Sequence, residues 1–318
     1  MRAIPLLTLL LGGWFVVPAH ADEAQDWLTR LGQAEQQQSF HGTFVYERNG
    51  SFSTHNIWHR VQDGKVRERL LQLDGSAQEV VRIDGRTQCV SGILIAGLGD
   101  SPSSAARALD PQKLKNWYDL AVIGKSRVAG RAAVIVSLTP RDQHRYGFEL
   151  HLDKETGLPL KSLLLNERGQ LLERFQFTQL DTADVPSDSD LQPGADCKTV
   201  ALDSDKASAI KAAQVWRSDW LPPGFELISS TSRKDPETKT QVNSLMYDDG
   251  LARFSVFLEP LNGATITDTR TQLGPTVAVS RRLTTPQGEM MVTVVGEIPI
   301  GTAERIALSM RSDATATK

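Results

Sequence analysis

His55 and His59 are the first pair in this chain whose types and spacing could do chemistry. On a helix, H-x-x-x-H presents two ring nitrogens to one zinc ion. The surrounding residues Thr54–Val61, however, alternate as a strand does, with Ile57 and Val61 on the face opposite Trp58. Four residues of strand span about 13 Å, whereas both nitrogens must lie about 2 Å from the metal. Strand geometry removes the chelate, and no metal site is expected. Gly124-Lys125-Ser126 resembles the end of a phosphate loop, but the glycine needed five positions before Gly124 is Asp119. Gly97-Leu98-Gly99 lacks the third glycine and the following helix of a dinucleotide site. Asp142, His144 and Glu149 fall in or beside a charged run, Arg141–Arg145, that reads as a solvated turn. No G-x-S-x-G elbow, H-E-x-x-H or C-x-x-C occurs. The sequence therefore offers no catalytic residue and calls for no cofactor; the expectation is a protein that acts by binding.

Residues 1–21 join a short basic start (Met1-Arg2) to an apolar stretch, Ile4–Val17, and end in Ala19-His20-Ala21. This is the pattern of a secretory signal, with cleavage expected after Ala21 and export of the mature chain. The apolar run is broken by Gly and falls short of the roughly 20 residues that span a bilayer. Export places Cys89 and Cys197, the two cysteines of the chain, in an oxidising compartment. There a pair of thiols tends to close into a disulfide, which is the expectation here, against the alternative of two separate buried thiols.

These residues must be positioned by a largely β framework. The chain has 318 residues, 40% hydrophobic and 23% charged, which excludes collagen-like, coiled-coil and fully disordered architectures. A net charge of −3 leaves no basic excess for a phosphate backbone, so no nucleic-acid partner is expected. Trp27, Leu31 and Ala34 recur at helical spacing and predict a helix over residues 22–38. Alternating segments then follow at 43–48, 54–61, 65–73, 79–83 and 86–90. They are punctuated by Asn49-Gly50, Asp63-Gly64, Asp74-Gly75 and Asp84-Gly85, the signature of an antiparallel meander. The Gly-, Ser- and Ala-rich stretch 92–107 reads as a mobile loop with an apolar tip, Ile93-Leu94-Ile95. Asp110-Pro111 opens a short helix through 117–118, and strands resume at 119–124, 132–139, 146–153, 159–166 and 170–180. Residues 184–213 are acidic and Pro-containing and read as a linker. A second domain, 214–312, shows strands at 225–233, 242–248, 252–260, 276–283 and 290–297, a helix at 303–310, and a frayed tail at 313–318.

Four segments give this framework a family. Phe40-x-Gly42-Thr43-Phe44-Val45-Tyr46, His144–Leu150 (HRYGFEL), Asp153–Pro159 (DKETGLP) and Trp216–Phe225 (WRSDWLPPGF) together resemble the MucB/RseB regulators of an envelope-stress sigma factor. The DKETGLP turn is shared with lipoprotein carriers of the LolA/LolB kind; its conjunction with WLPPGF after an acidic stretch is the specific feature. The resemblance covers the whole mature chain. It implies an α+β, β-rich fold: a large LolA/LolB-like N-terminal half-barrel over 22–183 holding helices in its concavity, and a smaller mixed C-terminal domain. It also implies binding to the periplasmic segment of a MucA/RseA-type anti-sigma factor, protection of that segment from proteolysis, and release by lipid or lipopolysaccharide fragments. The alternative is a periplasmic lipid or lipoprotein carrier, which would not need the C-terminal domain. Formation of a homodimer stays open.

Two surfaces follow as expectations. The i, i+2 pairs Phe44/Tyr46 and Phe148/Leu150, with Leu163 and Phe175, would line a concave lipid-binding face, gated by residues 92–107, unless a helix fills that face as ordinary core. Arg253, Phe254, Arg281 and Arg282, on strands expected to be adjacent, would form the partner-binding patch, since Arg and aromatic side chains favour interfaces.

Overall fold

The computed structural model describes residues 19–76, 78–91, 109–200, 216–234, 240–263, 267–286 and 288–312. Most of the expected signal segment, the 92–107 loop, residues 201–213 of the expected linker and the 313–318 tail lie outside them.

Helix α1 (Ala19–Gln37) buries Ala24, Trp27, Leu28, Leu31 and Ala34, an i, i+3, i+4, i+7 stripe along one side. That stripe packs on an 11-stranded antiparallel sheet. Strands β1 (Phe40–Arg48), β2 (Ser51–Gln62), β3 (Lys65–Gln72), β4 (Glu79–Ile83) and β5 (Arg86–Ser91) step outward in sequence order. The one-turn helix α2 (Pro111–Leu114) starts as the Asp110-Pro111 signal requires, with the Asp110 carboxylate accepting from the amides of Gln112 and Lys113. Strands β6 (Tyr118–Val128), β7 (Arg131–Pro140), β8 (Gly147–Asp153), β9 (Pro159–Leu165) and β10 (Leu171–Asp181) then fill the sheet from its far edge inward, until β10 pairs with β1. The order is β11-β5-β4-β3-β2-β1-β10-β9-β8-β7-β6, with β11 being Lys198–Thr199.

Residues 184–200 depart from the expected linker. They form a strap on the first sheet: Arg60 donates to the Pro186 carbonyl and to Asp188, Arg69 to the Asp190 carbonyl, and the Gly194 amide to Glu79. Leu191 is buried, β11 pairs with β5, and Cys197 is disulfide-bonded to Cys89. Composition read as solvated because the groups that hold this stretch lie far away in sequence: Asp188 finds Arg60 and Arg67 on β2 and β3.

The second domain is a six-stranded antiparallel sheet, β13-β14-β15-β18-β17-β16, covered by helix α3 (Ile300–Ser309). Its strands are β13 (Glu226–Lys234), β14 (Gln241–Asp248), β15 (Arg253–Pro260), β16 (Thr269–Leu273), β17 (Thr276–Thr285) and β18 (Gly288–Gly296). A small ribbon of β12 (Trp216–Ser218) and β19 (Met310–Ser312) ties its two ends together. Ile306, Ala303, Ala307 and Met310 meet Phe254, Val256, Val279, Val292 and Val294 in its core.

Candidate functional site

Register decides which side chains share a face, because residues directly opposite one another across an antiparallel sheet point the same way. One row runs Tyr46, Phe175, Ser162, Leu150, Val136 across five strands. The next runs Glu47, Arg174, Leu163, Glu149, Ser137 and therefore lies on the opposite face. Five of the six expected lipid-face residues thus belong to the inner face. Leu163 does not: it sits one position out of phase and looks outward among charged groups. Leu160 and Leu164 are the buried leucines of β9.

The inner face holds two apolar clusters. Phe44, Tyr46, Phe175 and Phe177 pack with Phe40, Leu70, Val80 and Leu160, with Phe44 and Phe175 ring centres 4.7 Å apart. Leu150, with Phe148 against it, belongs instead to the cluster of Trp27, Leu28, Leu31, Tyr118, Val136 and Leu138, where α1 is seated. A polar pair is set into the first cluster: the Tyr46 hydroxyl donates to Glu173 Oε2 at 2.6 Å. Burial pushes the Glu173 carboxyl up and, together with the neighbouring Glu173 charge, raises the Tyr46 phenol. His55 and His59 share this face on β2, stacked on Phe44 and Phe40 at 5.1 and 4.7 Å. Burial lowers the His55 pKa. Among the described residues, one group brings three ligand atoms within 4.8 Å of one another: His41, Asp181 and Asp184, at the sheet surface. Asp181 there already accepts from the amides of Ala183 and Asp184, an ordinary turn.

The second domain docks on one end of this sheet through a charged seam. Arg145 is 1% exposed. Its Nη1 donates to Asp249 Oδ2 at 2.7 Å, its Nη2 and Nε to Asp142 at 3.0 and 3.2 Å, and Nη2 also to the Pro223 carbonyl. The guanidinium lies over the rings of Phe225, Trp117 and Tyr118 at 5.2, 5.6 and 5.6 Å. Asp249 is itself held by the amides of Leu251 and Ala252, yet burial raises its pKa. Around this centre, the Tyr146 hydroxyl donates to the Ile298 carbonyl, His144 reaches Thr302 and meets Trp220 edge-on, and Lys113 pairs with Glu226. At the far side Arg48 bonds Thr276 and Glu297. The HRYGFEL and WLPPGF segments, 70 residues apart, thus meet at this interface through Arg145 with Pro223 and Phe225 and through His144 with Trp220. Sequence reading placed Arg145 in a solvated turn; the missing signal was its remote partner, Asp249.

The expected partner patch is not assembled. Phe254 is 1% exposed and stacks on Tyr247 inside the second core. Strand β18 separates β15, which carries Arg253, from β17, which carries Arg281 and Arg282. Arg253 pairs with Asp248, and Arg281 bridges Asp268 and Glu304. The error lay in strand order: β15 and β17 are close in sequence but not neighbours.

A large curved antiparallel sheet seating a helix, joined through a buried ionic seam to a smaller sheet-and-helix domain, defines a two-domain, β-rich α+β protein. The MucB/RseB N-terminal domain matches residues 23–195 and the MucB/RseB C-terminal domain residues 210–311. The chain belongs to the MucB/RseB family. It is 62% identical, over the full length of both chains, to the sigma factor AlgU regulatory protein MucB of Pseudomonas aeruginosa. Among solved structures, the complex of Pseudomonas aeruginosa MucA/MucB matches with a TM-score of 0.80 at 61% identity, covering 92% of this chain and 99% of that one. A crystal structure of MucB matches with a TM-score of 0.69 at 60% identity, covering 92% and 98%.

Proposed function

We propose that this protein is an exported, periplasmic regulator that binds the periplasmic segment of a MucA/RseA-like anti-sigma factor, shields it from regulated proteolysis and so keeps an envelope-stress sigma factor inactive. The observation that carries this reading is the likeness of both domains, in their mutual arrangement, to MucB crystallised with MucA. Export after Ala21 follows from the signal pattern. Release is triggered by lipid or lipopolysaccharide acyl chains entering between α1 and the inner face built from Phe44, Tyr46, Phe148, Leu150 and Phe175. Each buried methylene contributes about 0.8 kcal/mol, enough for a short chain to offset a weak protein–protein preference. Linkage requires the lipid and the anti-sigma segment to prefer different arrangements of the molecule.

Titration of the mature protein with a purified anti-sigma periplasmic segment tests the reading, first alone and then with lipopolysaccharide added. Binding that weakens with lipid is expected. Absence of binding at micromolar concentration overturns the regulator reading; binding indifferent to lipid overturns the trigger.

A further inference from the structure

We propose that Arg145 is the positioning residue that clasps the two domains in the arrangement an anti-sigma segment recognises; the recognition half of this rests on the function proposed above. Its four bonded acceptors come from three places: Asp142 from its own loop, Pro223 from the segment entering the second domain, and Asp249 from the turn between β14 and β15. Both members of the Arg145–Asp249 pair are fully buried, each side chain being 0% exposed. A buried ion pair differs from an apolar seam in how it comes apart. When an apolar seam opens, its surfaces meet water unfavourably. When a charged seam opens, the separated ions regain the hydration they gave up on burial. Burial costs each ion its hydration, and their attraction offsets that cost only at good geometry, so a partly opened pair is less stable than either the fully docked or the fully parted one. Such a contact is a two-state clasp.

The clasp is also in touch with the inner face. The Tyr118 hydroxyl lies 3.5 Å from Asp249 Oδ2, while its ring is buried in the cluster that seats Trp27, Leu28 and Leu31 of α1. Leu251, two residues beyond Asp249, packs against that same cluster from the second domain. A shift of α1 therefore reaches Asp249 through packed side chains. The whole chain superposes on MucB crystallised with MucA with a TM-score of 0.80 and on one crystal structure of MucB with 0.69, at equal coverage of this chain.

The test compares the mature wild-type protein with Asp249→Asn and with Arg145→Met/Asp249→Asn, in which the Asn oxygen still accepts from the amides of Leu251 and Ala252. Small-angle scattering and a label-to-label distance across the seam report arrangement, and titration with an anti-sigma periplasmic segment reports recognition. Asp249→Asn leaves Arg145 its ion pair with Asp142 in the first domain but only a neutral amide across the seam; it is expected to broaden the interdomain distance and weaken binding by about tenfold or more. The double variant removes both charges and is expected to restore much of both. If Asp249→Asn fails to fold, Arg145→Lys, which keeps the charge and loses the planar fork, takes its place with the same expectation. Asp249→Asn (or Arg145→Lys in its place) keeping the wild-type distance, or opening yet binding as tightly as wild type, overturns the proposal, as does a double variant no better than the single one. A wild-type protein that binds no anti-sigma segment instead overturns the function, and the distance measurement still tests the clasp.

Discussion

Gly224 of the second domain lies so close to Trp117 of the first that a Cβ built on it would stand 2.3 Å from the indole Cε2 and Nε1. Its φ of +90° adds a backbone reason for glycine, since that region is strained for side chains with a Cβ. Gly224→Ala is expected to push Trp117 off the seam and destabilise the docked molecule by about 1–3 kcal/mol. Urea unfolding followed by tryptophan fluorescence measures this, and an unchanged midpoint refutes it.

Leu150 and Leu163 are equivalent by composition and opposite by register. Leu150→Trp would force a larger ring into the cluster of Val136, Leu138 and Trp27, with an expected cost of about 1–3 kcal/mol. Leu163→Trp places the same ring on the outer, half-exposed face and should stay within about 0.5 kcal/mol of wild type. Equal losses in the two variants would show that the row assignment is wrong.

The strands were legible because turn chemistry and alternation agreed. Asn49-Gly50, Asp63-Gly64 and Asp84-Gly85 all take positive φ at both residues, as two-residue hairpins need. Where that chemistry is atypical the reading fell short. The β6–β7 turn is Ala129-Gly130, with Ala129 at φ +49°, so β6 runs four residues past the expected end at Gly124. Strand β16 escaped because all five of its residues are exposed and no apolar alternation marks it. The apolar face residues could be read from i, i+2 pairs, but Leu163 shows that phase across strands could not. The seam was illegible for a different reason: a buried arginine and an exposed one look alike until the distant carboxylate that neutralises it is known.

Cys89 and Cys197 are 108 residues apart, with Cα atoms 5.5 Å apart, and their bond fastens the 184–200 strap to β5. Closing a loop of that size stabilises by about 4–5 kcal/mol in the chain-entropy model. Cys89→Ser/Cys197→Ser is therefore expected to lower the unfolding midpoint and to expose the strap to proteolysis. The bond itself is checked by mass: the oxidised chain should weigh about two daltons less than the reduced one, the two hydrogens lost on bond formation. Two thiols titrating under denaturing, non-reducing conditions would contradict it.

The last prediction concerns acid. Glu68 is buried on β3, where Arg82 Nη1 donates to it at 2.8 Å and His59 Nδ1 stands at 3.4 Å. Burial alone would raise its pKa; the hydrogen bonds and charges of His59 and Arg82 outweigh it and hold the carboxyl at about 2, against an ordinary 4.5. A folded-state value below the unfolded one means that the unfolded chain takes up the proton first. The Glu68 contribution is thus complete above about pH 4.5 and is lost as the pH falls toward about 2. His59 also bonds through Nε2 to the Glu35 carbonyl in the last turns of α1. Glu68→Gln should be less stable than wild type near neutrality by about 1–3 kcal/mol, because it removes the buried carboxylate that accepts from Arg82 Nη1 and faces His59 Nδ1. It should also show a shallower fall in stability between about pH 5 and about pH 3. Urea midpoints for both proteins across that window measure the difference. Parallel curves would mean that other carboxylates, not Glu68, set the acid response.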